Sequence, residues 1–266
     1  MKGPTRLLPA EDHWETRMGK SFPGERVVYR GKDLFHDLNH LTWMQLYLYG
    51  ITGHLFTEIQ AKLFEGMWTL CTSYPDPRLW NNRVGSLAGT LRTTGTLALS
   101  AAIAVSEARI YGGNPIIRAI NFLIRTKSKL DQGINLQAII EGELEIHRVI
   151  PGYGRPRANK DERIAPLLNL AKSLNLADGP YTQLAFAVEE ILLKGRWRMR
   201  MNVAALAAAL AADHGLSERE FYFFLIPSFT AGIMPCFIEA SQHPEGTFLP
   251  LSCERISYSG NPPRKW

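Results

Sequence analysis

The chain has 266 residues, 45% of them apolar and 21% charged, which allows one large or two modest domains with a proper core and excludes a chain disordered beyond its ends. Its 30 basic and 25 acidic residues leave a net charge of +5. The cations are dispersed, so the excess points to anionic small molecules and away from nucleic acid. Cys71, Cys236 and Cys253 are odd in number and widely separated, which argues against a disulfide framework or a Cys-x-x-Cys metal site and suits a reducing cytoplasm.

Residues 1–24 carry Pro4, Pro9 and Pro23 without an apolar period and are expected to form an irregular arm; no secretory h-region follows Met1. Val27-Val28-Tyr29 predicts a short strand, and with no other sustained alternation the sheet content should be small. From Asp33 onward the expectation is helix: Leu41 to Tyr49 with a stop at Gly53, then a second helix from Thr57 through Met67. Pro75 and Pro77 break the chain before one long helix, Leu79 to Ile110. Its Gly85, Gly89, Gly95 and the alanines to Ala104 would let another helix approach closely, at a subunit interface. Gly112-Gly113-Asn114-Pro115 is expected to end that helix. Helices then follow at Ile116 to Leu130, Leu136 to Val149, Glu162 to Leu174, Tyr181 to Leu193 and Ala204 to Ala212, with Gly215 as a stop. Ser217-Glu218-Arg219-Glu220 is a capping box for the next helix. Phe221 to Ile238 contains no charge, yet Pro227, Pro235, Ser228 and Thr230 interrupt it, so a buried core helix is expected and not a membrane span. No internal repeat is evident, and the fold class is all-α.

Four segments carry chemistry. Ile150-Pro151-Gly152-Tyr153-Gly154-Arg155-Pro156-Arg157 is followed by Asp161-Glu162-Arg163; the others are Tyr29-Arg30-Gly31-Lys32-Asp33-Leu34, Met201-Asn202-Val203-Ala204 and Glu254-Arg255-Ile256-Ser257-Tyr258-Ser259-Gly260. In this order they resemble the citrate synthase and citryl-CoA lyase family, in its short form. The resemblance implies the citrate synthase fold: a large helical domain from residues 1–111 and 204–266, with a smaller helical domain, 112–203, inserted and a ligand cleft between them. It also implies a homodimer and a carboxylate or acyl-CoA ligand, with CoA thioester as a substrate and no resident cofactor or metal.

The resemblance places the family's catalytic histidine on Arg155 and its catalytic aspartate on Ala204. An arginine is a permanent cation that does not shuttle protons near neutral pH, and a methyl group accepts none. The histidine before the Gly-Gly turn falls on Tyr111, and an earlier one near Tyr74. Arg155, Tyr111 and Tyr153 are therefore the catalytic candidates. Arg163, Arg255, Asn202 and Tyr74 are the candidates for substrate binding, and Arg157 and Lys160 for the CoA phosphates. Beside each stands a plainer reading: Asn202 as a helix cap, the tyrosines as packed aromatics, the cations as solvated charges. His36 and His40 lack a His-Glu-x-x-His pattern and read as surface histidines. Two functions stay open: an enzyme of non-standard chemistry, forming or cleaving a carbon–carbon bond, decarboxylating or cyclising, and a pseudoenzyme that binds a ligand or assembles with a partner.

Overall fold

The structure is a computed structural model that describes residue 9 and residues 11–108, 112–155, 160–196, 198–247 and 252–261. It is mostly helical, as composition and periodicity predict. The one sheet among the described residues is a small antiparallel meander of β1 (Gly19–Phe22), β2 (Arg26–Tyr29) and β3 (Lys32–Asp33). The predicted strand at Val27–Tyr29 is thus its middle member. Part of the expected irregular arm is strand too, because Pro23 and Gly24, the latter at φ 79°, fold a turn that pairs Phe22 with Arg26.

Helix α1 (Trp43–Thr52) begins at a Thr42 capping box with Gln45 and ends on left-handed Gly53, and α2 (Glu58–Cys71) begins at a second box, Thr57 with Gln60. Residues 34–41 are turns and not helix, held by Asp33, whose carboxylate accepts from the backbone N–H groups of Phe35 and His36.

The long helix expected from Leu79 to Ile110 is two, α3 (Trp80–Thr90) and α4 (Gly95–Val105). Arg92 takes a left-handed φ of 59° at the break, and its guanidinium donates to the carbonyls of Ser241 and His243; Thr94 then caps α4 by accepting from Leu97 N–H. Nor does Gly112 end a helix. It stands at φ 82° before α5 (Gly113–Asp131), where Pro115 lies in the first turn and needs no N–H.

The remaining helices are α6 (Leu136–His147), α7 (Ile164–Ser173), α8 (Pro180–Lys194), α9 (Val203–Asp213), α10 (Glu218–Leu225) and α11 (Thr230–Gln242), with a 3₁₀ turn at Ile226–Phe229 between the last two. Helix α9 is the centre of the main core: every residue from Val203 to Ala212 is buried. Its seven alanines let α5 and α8 lie close on either side, and a helix apolar all round must be enclosed. Phe64, Phe122, Phe221 and Phe224 fill the space around it. The larger apolar cluster draws on α1, α2 and α5 to α10, and a smaller one joins α4 to α11 through Ala102, Phe229 and Ile233.

The small-residue face of α3 is filled within the chain. A Cβ at Gly85 would come within 2.9 Å of the Ile233 carbonyl oxygen, and one at Gly89 would collide with the Phe237 carbonyl. That face packs on α11 and is not a free surface for another subunit. The rod Glu218–Gln242 is long and apolar enough to cross a membrane, but it buries Phe221, Phe224, Leu225, Ile233, Cys236 and Ala240 inside the protein, in line with the expected core helix.

Candidate functional site

The glycine loop is tied to the start of α9 by backbone pairing. Tyr153 and Met201 form an isolated antiparallel bridge, Gly154 N–H donates to the Arg200 carbonyl at 2.7 Å, and Asn202 N–H donates to the Gly152 carbonyl at 2.9 Å. Gly152 is required twice over: its φ is 87°, and a Cβ would meet Ala205 Cβ at 2.6 Å. Asn202 works as the cap its sequence context suggests. Its Oδ1 accepts from Ala204 N–H at 2.9 Å while its Nδ2 donates to the Gly154 carbonyl at 3.0 Å, so one amide stitches helix to loop.

Asp161 closes the other side of this junction. Its carboxylate is fully buried and accepts Arg163 Nε and Nη2, each at 2.9 Å, and Val203 N–H at 2.9 Å. Burial alone would raise its pKa, but the hydrogen bonds from Arg163 and Val203 outweigh it and hold the carboxyl below its ordinary value. Arg163 is held charged by the same bonds against the opposing effect of burial, and its side chain keeps 28% exposure. The thiol of Cys71, at the end of α2, feels both charges; burial pushes its pKa up to about 12, with Arg163 pulling slightly the other way. The end of α2 and the turn after it therefore lie beside the Asp161–Arg163 pair.

Arg155 turns back on its own loop. Its Nη1 donates to Glu162 Oε2 at 2.6 Å and to the Lys160 carbonyl at 3.0 Å, with Asp161 Oδ1 3.8 Å away. This pairing lowers the Glu162 pKa. Tyr153 faces inward: its hydroxyl donates to the Ala185 carbonyl at 2.8 Å, its ring meets Phe122 edge-on, and burial, with Glu189 nearby, raises the phenol well above its usual range. Ala204 sits in the first turn of α9 with its methyl buried.

Tyr74 is half exposed in the turn after α2, where buried Asn82 donates to the carbonyls of Tyr74 at 2.6 Å and Asp76 at 3.1 Å. Lys160 is exposed. Arg255 lies exposed on a 3₁₀ turn, and among the described residues no hydrogen bond or ion pair joins its side chain to the loop. Tyr111 and Arg157 lie outside the described residues. The loop thus brings together Tyr153, Arg155, Lys160, Arg163 and Asn202, while Arg255 stands apart from that network.

Sequence reasoning missed the residues that neutralise the arginines. Asp161 and Glu162 are adjacent to Arg163, and an Asp-x-Arg spacing permits a local fork, which was the available signal. It also passed over Arg198 and Arg200, both exposed on the segment that pairs with the glycine loop and, like Lys160, without an ion-pair partner among the described residues. Lys160 thus lies on the loop's own connection to Asp161, and Arg198 and Arg200 on the segment beside it. No group of three His, Cys, Asp or Glu side chains suited to a metal occurs among the described residues, and His36 and His40 are exposed on turns.

No protein-family model and no curated protein sequence matches the chain. Solved structures do. The citryl-CoA lyase of Hydrogenobacter thermophilus superposes with a TM-score of 0.82 at 21% identity, over 95% of this chain and 97% of that one. The ATP citrate lyase of Methanothrix soehngenii, in complex with citrate and coenzyme A, gives a TM-score of 0.74 at 17% identity; 98% of this chain corresponds to 45% of that protein. The citrate synthase of Thermotoga maritima gives 0.65 at 15% identity, over 85% of this chain and 60% of that one. The chain has a citrate synthase-like fold, shared with these lyases and synthases.

Proposed function

We propose that this protein uses the citrate synthase fold to hold a carboxylate-bearing or CoA-linked substrate, and that its chemistry departs from citrate synthesis and cleavage. The observation that carries this is at the loop. An Arg155–Glu162 ion pair stands where the resemblance puts histidine, and the buried Ala204 methyl stands where it puts the aspartate base. A site of this kind works by fixed charge and positioning: Arg155, with the exposed cations Lys160, Arg198 and Arg200 on the loop and the segment beside it, orients an anionic ligand and stabilises negative charge as it develops. Formation or cleavage of a carbon–carbon bond, decarboxylation and cyclisation are all open to such a site. Citrate and coenzyme A bind to the ATP citrate lyase of the same fold, which supports this ligand class.

A second reading, a pseudoenzyme that binds its ligand without turning it over, is favoured by one observation: Arg155 and Arg163 already carry protein carboxylates. A thermal-shift panel with CoA, acetyl-CoA, citrate and oxaloacetate tests both readings, because a ligand at 100 times its Kd stabilises by about 2.7 kcal/mol. Stabilisation without turnover supports the pseudoenzyme; stabilisation by none of the four removes the ligand class. Ordinary CoA release from citryl-CoA or from acetyl-CoA with oxaloacetate would show that another residue serves as base. A homodimer and a cytoplasmic location belong to the same proposal. Exposed Leu91, Leu97 and Val105, on and beside α4, offer the dimer an apolar face, which light scattering tests.

A further inference from the structure

We propose that Glu162 occupies the carboxylate seat of this site, and that a substrate carboxylate binds to Arg155 by displacing it. This rests on the reading that the loop holds a carboxylate-bearing ligand, and it adds how the ligand enters and what sets its affinity.

Two protein carboxylates lie within 4 Å of Arg155 Nη1, and they are not equivalent. Asp161 has no exposed side-chain surface and is bound by both Arg163 nitrogens and by Val203 N–H. Releasing it would strand a half-buried guanidinium and a buried amide, so it is fixed. Glu162 has a side chain 66% exposed, and among the described residues its only side-chain partner is Arg155. It returns to water with its charge fully solvated.

The Glu162 contact has the form of a ligand contact. A single carboxylate oxygen meets Nη1 at 2.6 Å, a charge-assisted length, while the Lys160 carbonyl holds the guanidinium in place from a second direction at 3.0 Å. A free carboxylate arriving at the same nitrogen makes the same bond. It gains further where the ligand also reaches Lys160, Arg198 or Arg200, none of which has a carboxylate of its own among the described residues. The tethered Glu162 always competes, because its effective concentration at Arg155 is high. An exposed ion pair of this kind corresponds to a factor of about two to five in an equilibrium constant. That is enough to set affinity and too little to close the site.

The test has two arms. In the first, phenylglyoxal modification of Arg155 is followed by peptide mass spectrometry in wild type and Glu162→Gln, with no ligand present; the variant should react about two- to five-fold faster. In the second, citrate affinity is measured by calorimetry for wild type, Glu162→Gln, Arg155→Ala and the double variant. Glu162→Gln should tighten citrate binding about two- to five-fold, and the gain should vanish in the Arg155→Ala background. Unchanged Arg155 reactivity, or citrate bound no tighter by Glu162→Gln than by wild type, overturns the seat. If citrate binds neither protein while CoA still stabilises the wild type, the seat is overturned and the broader functional reading survives; if no member of the ligand panel binds, that reading fails too, and the reactivity arm alone still decides whether Glu162 covers Arg155.

Discussion

Replacing Asp161 with alanine should be the most damaging single change at the site. The substitution removes two charge-assisted bonds to Arg163 and the acceptor for Val203 N–H at the head of α9. Breaking a buried pair from one side costs about 3–5 kcal/mol, because the remaining charge is left without a partner. Arg163 keeps 28% exposure and recovers some hydration, so the cost falls toward the lower end, about 3 kcal/mol including the orphaned amide. Asp161→Asn should be milder, since an amide oxygen still accepts from Val203. Urea unfolding followed by circular dichroism gives the numbers: with a slope near 3 kcal/mol per molar, the alanine variant should unfold about 1 M earlier at unchanged slope. An alanine variant within about 0.5 kcal/mol of wild type would show that the junction between loop and α9 does not depend on this carboxylate, and would remove the physical basis for calling Asp161 fixed.

The same carboxylate sets a pH dependence. Its folded-state pKa is depressed, so its contribution is complete above the unfolded value near pH 4 and is lost as pH falls through the lower folded value; unfolding midpoints of wild type and Asp161→Asn should converge below about pH 4. Gly89→Ala drives a methyl into the Phe237 carbonyl and should cost about 1–3 kcal/mol from overpacking against about 1 gained in helix propensity, a net loss by thermal unfolding. Gly142→Ala, in α6 with open space around it, should instead stabilise by up to about 1 kcal/mol, and equal effects at the two positions would contradict the packing described for α3 and α11. Cys71, with its pKa near 12, should be thiolate in only about one molecule in 10,000 at pH 8; iodoacetamide should label it in the native state far more slowly than in urea.

The fold was legible wherever a local signal was strong. Thr57 marked a helix start and Ser217 announced its helix through a capping box, Gly53 and Gly215 marked ends, and the alanine run of α9 carried its helix by propensity, although its complete burial showed only in the structure. What escaped depends on residues distant in sequence. The break at Arg92 is held by carbonyls of Ser241 and His243, and the glycines of α3 were matched to another molecule although their partner, α11, lies about 150 residues further along this one. At the site, motif order located the loop and its cap. Whether an arginine faces a ligand or a neighbouring carboxylate is decided by side-chain geometry, and spacing alone does not reveal it. For that reason Arg155 and Arg163 read as free clamps in the sequence and stand paired in the structure.

The packing of α11 into the glycine-lined groove of α3 also bears on how the protein is made. Synthesis runs from the N-terminus, so α3 and α4 leave the ribosome long before Ile233 and Phe237 exist to fill the groove. During that interval the groove and the apolar faces of α4 are open to solvent and to other chains. Contacts spanning such a distance also slow folding, because the intervening loop must close before they form. Expression at low temperature, or with a chaperone that holds nascent chains, should therefore raise the soluble yield, and truncation before Thr230 should leave a product that aggregates even though most of the α9-centred core is already present.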